Sequence, residues 1–181
     1  DQSLVLEAEI EPKELYPQQQ ALLSINIIRT GIELENESIT PLIVDNVRIK
    51  KVYQDTFNRI VRGQRQKVTE IRFVIFPEKE GDMIIPAVEY RGEIAGMASK
   101  RRRFMQDFFQ LGERHVVRRS RPLKLKVLPK PMQAGLWWLP ASELKLSEKW
   151  DPEAPVFMVG EPVTRIITLE GEGVESEQLP K

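Results

Sequence analysis

Val68-Thr69-Glu70-Ile71-Arg72-Phe73-Val74-Ile75-Phe76 is followed by Pro77-Glu78-Lys79-Glu80-Gly81-Asp82 and then by Met83-Ile84-Ile85. Ile71, Phe73 and Ile75 recur at a spacing of two, the period of a strand with one face buried. Pro77 and Gly81 bound a charged turn, because proline presets one turn torsion and glycine supplies the other. The stretch therefore reads as strand, turn and strand, and the same grammar extends in both directions.

Toward the N-terminus, residues 4–10 alternate into Glu11-Pro12-Lys13, and residues 22–29 resume with Leu22, Leu23, Ile25, Ile27 and Ile28. Gly31 punctuates, a polar turn region containing Pro41 follows, and Val47, Ile49 and Val52 give a half-exposed strand. Residues 53–63 read as a hairpin turning at Gln54-Asp55. Toward the C-terminus, Met83, Ile85, Ala87, Val88 and Tyr90 continue as one strand, with Pro86 marking an edge or a bulge. Leu123, Leu125 and Val127 form the last strand of this series. About seven short strands, with no helical periodicity longer than about three turns, predict an all-β, immunoglobulin-like antiparallel β-sandwich.

The expected organisation is a sandwich over 1–129 with a basic and aromatic insertion at 99–121, a Pro/Trp linker over 130–141, and the start of a second β-sandwich over 142–181. Pro129-Lys130-Pro131 stiffens the linker. The second unit opens with Leu144-Lys145-Leu146 and has its strongest strand over 163–169, while the acidic, Gly-rich residues 170–181 are expected to complete no further element.

The 181 residues are 41% apolar and 30% charged, an ordinary soluble composition that needs no metal or disulfide to fold. Lys+Arg and Asp+Glu balance at 27 each, so a polyanion would be attracted only by a local patch. A single histidine and no cysteine leave too few ligands for most zinc sites and no thiol nucleophile. His115 lies in a basic stretch and reads as a surface or packing residue. Gly92 and Gly96 lack the Lys-Ser/Thr of a phosphate loop. The carboxylates cluster in solvated turns, which keeps them ionised and unsuited to paired acid and base work. The reading is of a non-catalytic protein with no cofactor, metal or small-molecule substrate.

Two clusters are candidates for partner binding. Arg101, Arg102, Arg103, Phe104, Phe108 and Phe109 belong to the insertion, where apolar positions approximate a helical stripe beside a basic end. Four uses compete: packing back onto the sandwich, a membrane-surface contact, a protein-docking hot spot, and nucleic-acid binding, the last opposed by the neutral net charge. Trp137 and Trp138 form the second cluster, suited either to packing the two units together or to an exposed groove.

Phe76-Pro77 with Gly81 and Ile85-Pro86, then Leu125-Lys126-Val127-Leu128-Pro129-Lys130-Pro131, Trp138-Leu139-Pro140-Ala141 and Val159-Gly160-Glu161-Pro162-Val163-Thr164-Arg165 occur in an order that resembles the BatD-type oxygen-tolerance (Bat aerotolerance) family. The resemblance spans residues 76–165. It implies tandem immunoglobulin-like domains in the periplasm, a cleaved signal, and an inner-membrane anchor C-terminal to this sequence. It also implies partners, namely membrane proteins with von Willebrand factor A domains, in operons that carry a MoxR-type AAA+ ATPase. An acid of the Glu78 to Asp82 turn could then complete a partner's Mg²⁺ site. The alternative is a carbohydrate-binding or carbohydrate-active sandwich in which Trp137 and Trp138 stack on sugar rings.

Overall fold

The computed structural model describes residues 2–95 and 115–180. Twelve strands occur among them: β1 (Ser3–Glu11), β2 (Glu14–Leu15), β3 (Ala21–Thr30), β4 (Leu34–Ile39), β5 (Val47–Val61), β6 (Gln64–Pro77), β7 (Gly81–Ile85), β8 (Glu89–Ile94), β9 (His115–Arg119), β10 (Leu123–Val127), β11 (Glu143–Asp151) and β12 (Thr164–Glu172). The only helical element among the described residues is a 3-10 turn, Ser176–Gln178. The expectation of an all-β, antiparallel architecture is borne out.

One layer is a four-stranded antiparallel sheet in the order β1-β3-β6-β5. The facing layer consists of two three-stranded sheets, β4-β8-β9 and β2-β10-β7. Pro86 and Pro122 interrupt its two long strands near the same level, which separates β7 from β8 and β9 from β10. Two hydrogen bonds bridge the break: the Val88 amide donates to Ser120 Oγ at 2.9 Å, and the Ser120 amide donates to the Val88 carbonyl at 2.9 Å. β2 pairs with β10 in parallel, through Lys126↔Glu14 and Val127↔Leu15.

The core is what the period-two pattern dictates. β3 turns Ala21, Leu23, Ile25 and Ile27 inward, β6 adds Ile71 and Ile75, and the facing layer supplies Leu34, Ile85, Tyr90, Leu125 and Val127. Each leucine, isoleucine or valine side chain so removed from water contributes about 1.5–3 kcal/mol before the entropy of ordering is charged against it.

Five sequence expectations need correcting. The hairpin expected to turn at Gln54-Asp55 does not turn there: β5 runs through both residues and reverses at Arg62 and Gly63, whose φ angles are 50° and 76°. Two consecutive left-handed residues make the tight turn whose twist suits a two-residue hairpin. The polar stretch after Gly31 contains β4, which pairs with β8 through Leu34↔Ile94 and Ile39↔Tyr90 around a bulge. The single strand expected from Met83 to Tyr90 is two strands in different sheets, because Pro86 has no N–H to continue the ladder. The C-terminal end of the basic insertion is strand β9, and residues 170–181 include the end of β12 and the 3-10 turn.

β11 and β12 form a separate two-stranded sheet from Glu143↔Glu172 to Asp151↔Thr164. The segment after β12 returns to the sandwich. Glu175 pairs with Arg48 of β5, and Gln178 Nε2 donates to the Gln18 carbonyl at 3.0 Å.

Candidate protein-interaction site

Strand register places the connections at two ends. Ser3↔Thr30, Thr30↔Gln66, Val61↔Gln64 and Leu34↔Ile94 gather residues 31–33, the 62–63 turn and the roots of residues 95–114 at one end. The opposite end holds the other turns: the Gln18 amide donates to the Pro77 carbonyl at 2.7 Å, and the Glu78 amide to the Asn46 carbonyl at 2.8 Å. Residue 128 onward leaves from this second end.

The first end is polar inside. Arg29 points inward from β3, and its side chain is 3% exposed. Its Nη1 lies 3.1 Å from Glu37 Oε1, its Nη2 donates to Thr69 Oγ1, and its Nε has no partner among the described residues. Tyr90 Oη donates to Glu37 Oε2 at 2.7 Å. Burial, reinforced by the hydrogen bond to Glu37 and its charge, pushes the Tyr90 hydroxyl well above its ordinary pKa. The network fixes β4, and with it the connection from β3, against the sandwich.

The outer face of β4-β8-β9 presents alternating charge. Glu89 accepts from Arg91 Nε and Arg119 Nε, both at 2.5 Å, and these two hydrogen bonds hold its carboxyl below the usual carboxylate range. His115 faces outward, with Nδ1 3.8 Å from Glu93 Oε1. An open depression of about 330 Å³ is lined there by Ser38, Arg91, Glu93, His115 and Val117. On the other face of β9, Arg118 Nε donates to the Leu4 carbonyl at 3.1 Å, tying β9 to β1.

Arg101, Arg102, Arg103, Phe104, Phe108 and Phe109 lie outside the described residues. Their point of attachment is described: the segment leaves after Ile94 and returns at His115, two positions held together by Glu93↔His115 and Gly92↔Val116. Gly92 faces inward at this root, where an added Cβ would stand 3.4 Å from Leu34 Cδ1 and 3.6 Å from Tyr90 Oη.

Trp137 and Trp138 separate. Trp138 Nε1 donates to the Pro17 carbonyl at 2.8 Å, its ring meets Tyr16 edge-on at 5.6 Å, and Lys130 Nζ lies 5.6 Å from the ring centre. Trp137 is 80% exposed. Adjacent residues thus have opposite surroundings: one anchors residues 130–141 to the loop after β2, and the other faces solvent.

No known protein family matches the chain, and no curated protein matches it either.

Two further surfaces escaped the sequence reading. The outer half of β5 exposes Tyr53, Phe57, Ile60 and Val61, next to the exposed Val52. The signal was present as Tyr53, Phe57 and Val61 at even spacing, masked by the assumed turn at Gln54-Asp55. The second is one face of β11-β12, where Leu144, Leu146 and Ile167 are exposed and Phe157 packs edge-on against Trp150 with centroids 5.5 Å apart.

Proposed function

We propose that the chain is a non-catalytic interaction module of a BatD-type aerotolerance protein in the periplasm. In this reading an immunoglobulin-like sandwich over 1–129 is joined by a linker over 130–141 to the start of a second sandwich over 142–181. The order β1-β3-β6-β5 against β4-β8-β9, with β2 beside β10, supports the immunoglobulin-like assignment, because it corresponds to the four-on-three strand arrangement of that fold. No helix among the described residues is long and apolar enough to cross a membrane.

The observation that carries the reading is where β8 ends and β9 begins. Ile94 and His115 lie on two paired strands, at the same end of the sandwich as the 31–33 connection and the 62–63 turn and away from the linker. The end of a rigid sandwich is well placed to bind, as in the variable ends of antibody domains, and the chain joins Phe104, Phe108 and Phe109 to this end through β8 and β9. The proposed partners are membrane proteins with von Willebrand factor A domains, themselves linked to a MoxR-type ATPase. Calorimetry of the chain against such a soluble domain, with and without Mg²⁺, tests the proposal. Saturable binding lost on changing Phe104, Phe108 and Phe109 together to Ser is the expected result. No binding at about 100 μM, near the weak end of specific association, removes it.

The exposure of Trp137 favours a second reading, a carbohydrate-binding sandwich, although Trp138 is engaged by Tyr16 and Pro17 and cannot share in a flat two-ring platform without leaving them. Quenching of tryptophan fluorescence by oligosaccharides, abolished by Trp137→Ala, would support it.

A further inference from the structure

β5 is an edge strand, and its two halves differ. The inner half carries Arg48, Lys50 and Lys51, and a bulge leaves Val52 without a partner between Lys51↔Phe73 and Tyr53↔Arg72. Lysines and bulges are the usual means of blunting a sheet edge. The acidic C-terminal segment also sits against this half, through the Arg48 to Glu175 pair and the attraction of Lys50 and Arg48 for Glu177.

The outer half has none of these protections. From Tyr53↔Arg72 to Val61↔Gln64 the register is regular, every residue of β5 is exposed, and no lysine occurs. The Thr56 amide is met by the neighbouring Asp55 carboxylate at 2.8 Å and by no strand among the described residues. Tyr53, Asp55, Phe57, Arg59 and Val61 line the outer face of the sheet, opposite Arg72, Glu70, Val68, Gln66 and Gln64.

This sequence is complementary to itself. Two copies of residues 53–61 placed antiparallel about a two-fold axis at Phe57 bring Asp55 opposite Arg59 twice, Tyr53 opposite Val61 twice, and Phe57 opposite Phe57. Shifting the axis to Asp55 or to Arg59 sets like charges opposite each other, and shifting it to Thr56 or Asn58 leaves both charges without an opposite partner. We propose that the outer half of β5 pairs in this register with the same segment of a second copy, giving an isologous dimer with one continuous eight-stranded sheet.

Sedimentation velocity of the full chain from about 1 to 300 μM tests it. Wild type is expected to show a monomer-dimer equilibrium. Asp55→Arg and Arg59→Asp, at exposed positions, each replace two opposite-charge pairs by two like-charge pairs and should weaken association by roughly tenfold or more. An equimolar mixture of the two variants places Arg opposite Asp at all four positions and should dimerise again. That recovery also reports that both variants are folded. A monomer throughout, a dimer insensitive to either substitution, or a mixture that stays monomeric would each overturn the proposal.

Discussion

The indole of Trp138 donates to the carbonyl of Pro17, 121 positions earlier in the chain, and joins residues 130–141 to the loop that follows β2. Trp138→Phe keeps a ring against Tyr16 and removes the donor, so it should cost about 1 kcal/mol. Trp138→Ala removes the ring as well, and about 2–3 kcal/mol is expected. Trp137→Ala at the exposed neighbour should stay within about 0.5 kcal/mol. Denaturant unfolding of the three variants checks the ranking.

Arg29 is a buried charge of the sandwich. Its replacement by Met fills similar space but leaves Glu37 and Thr69 without their cation, and about 3 kcal/mol of stability should be lost. Tyr90→Phe removes only the hydrogen bond to Glu37 and should cost about 1–2 kcal/mol. Because Arg29 and Tyr90 meet through one carboxylate, the double variant should cost less than the two single variants added together. A double-mutant cycle measures that difference.

The sign of the pH dependence at Glu89 follows from Arg91 and Arg119. Their hydrogen bonds favour the carboxylate in the folded protein, so its folded pKa lies below its unfolded one. The stabilisation is complete above the unfolded value of about 4.3 and is lost as pH falls through the folded value. Glu89→Gln should therefore flatten the acid limb of a stability profile measured below about pH 5. An acid limb unchanged by the substitution would show that Glu89 contributes nothing to it.

Tyr90 titrates in the opposite sense. Burial and Glu37 raise its folded pKa, so its contribution is intact below the unfolded value of about 10 and declines as pH rises beyond it, where the unfolded chain loses the proton first. Tyr90→Phe should reduce the fall in stability between about pH 10 and 11. Chemical unfolding at those pH values measures it.

The central strands were legible because their alternation records a real difference between two environments. In β3, residues 21, 23, 25 and 27 face the core, and the sequence carries that period. β5 has water on both faces over most of its length, so Gln54 and Asp55 are as acceptable in mid-strand as in a turn. The true turn, Arg62-Gly63, lacks the Asn or Asp that commonly announces such a reversal. β4 is short, and only Leu34 on it is fully buried, which leaves a polar string with no visible period. At the candidate site, the difference between Trp137 and Trp138 depends on a carbonyl at position 17. No local pattern encodes a contact that distant.

β11 and β12 provide the last test, because they lack what stabilises β3 and β6. Their apolar face carries Leu144, Leu146, Trp150, Ile167 and Leu169. Val174 and Leu179 cover one end of it, so closely that a Cβ added at Gly171 would stand 2.7 Å from Val174 Cγ2. Phe157 covers Trp150 at the other end, while Leu146 and Ile167 between them remain 71% and 56% exposed. A two-stranded sheet is marginal on its own, and neither strand contains a fully buried residue. Amide hydrogen exchange should therefore find the slowest amides in β3 and β6, opening only with global unfolding, and those of β11 and β12 faster by about 100-fold or more. Gly171→Ala should accelerate β11 and β12 further by displacing Val174, without changing β3. Protection of β11 equal to that of β3 would mean that the exposed face is covered in solution, as a completed second sandwich would require.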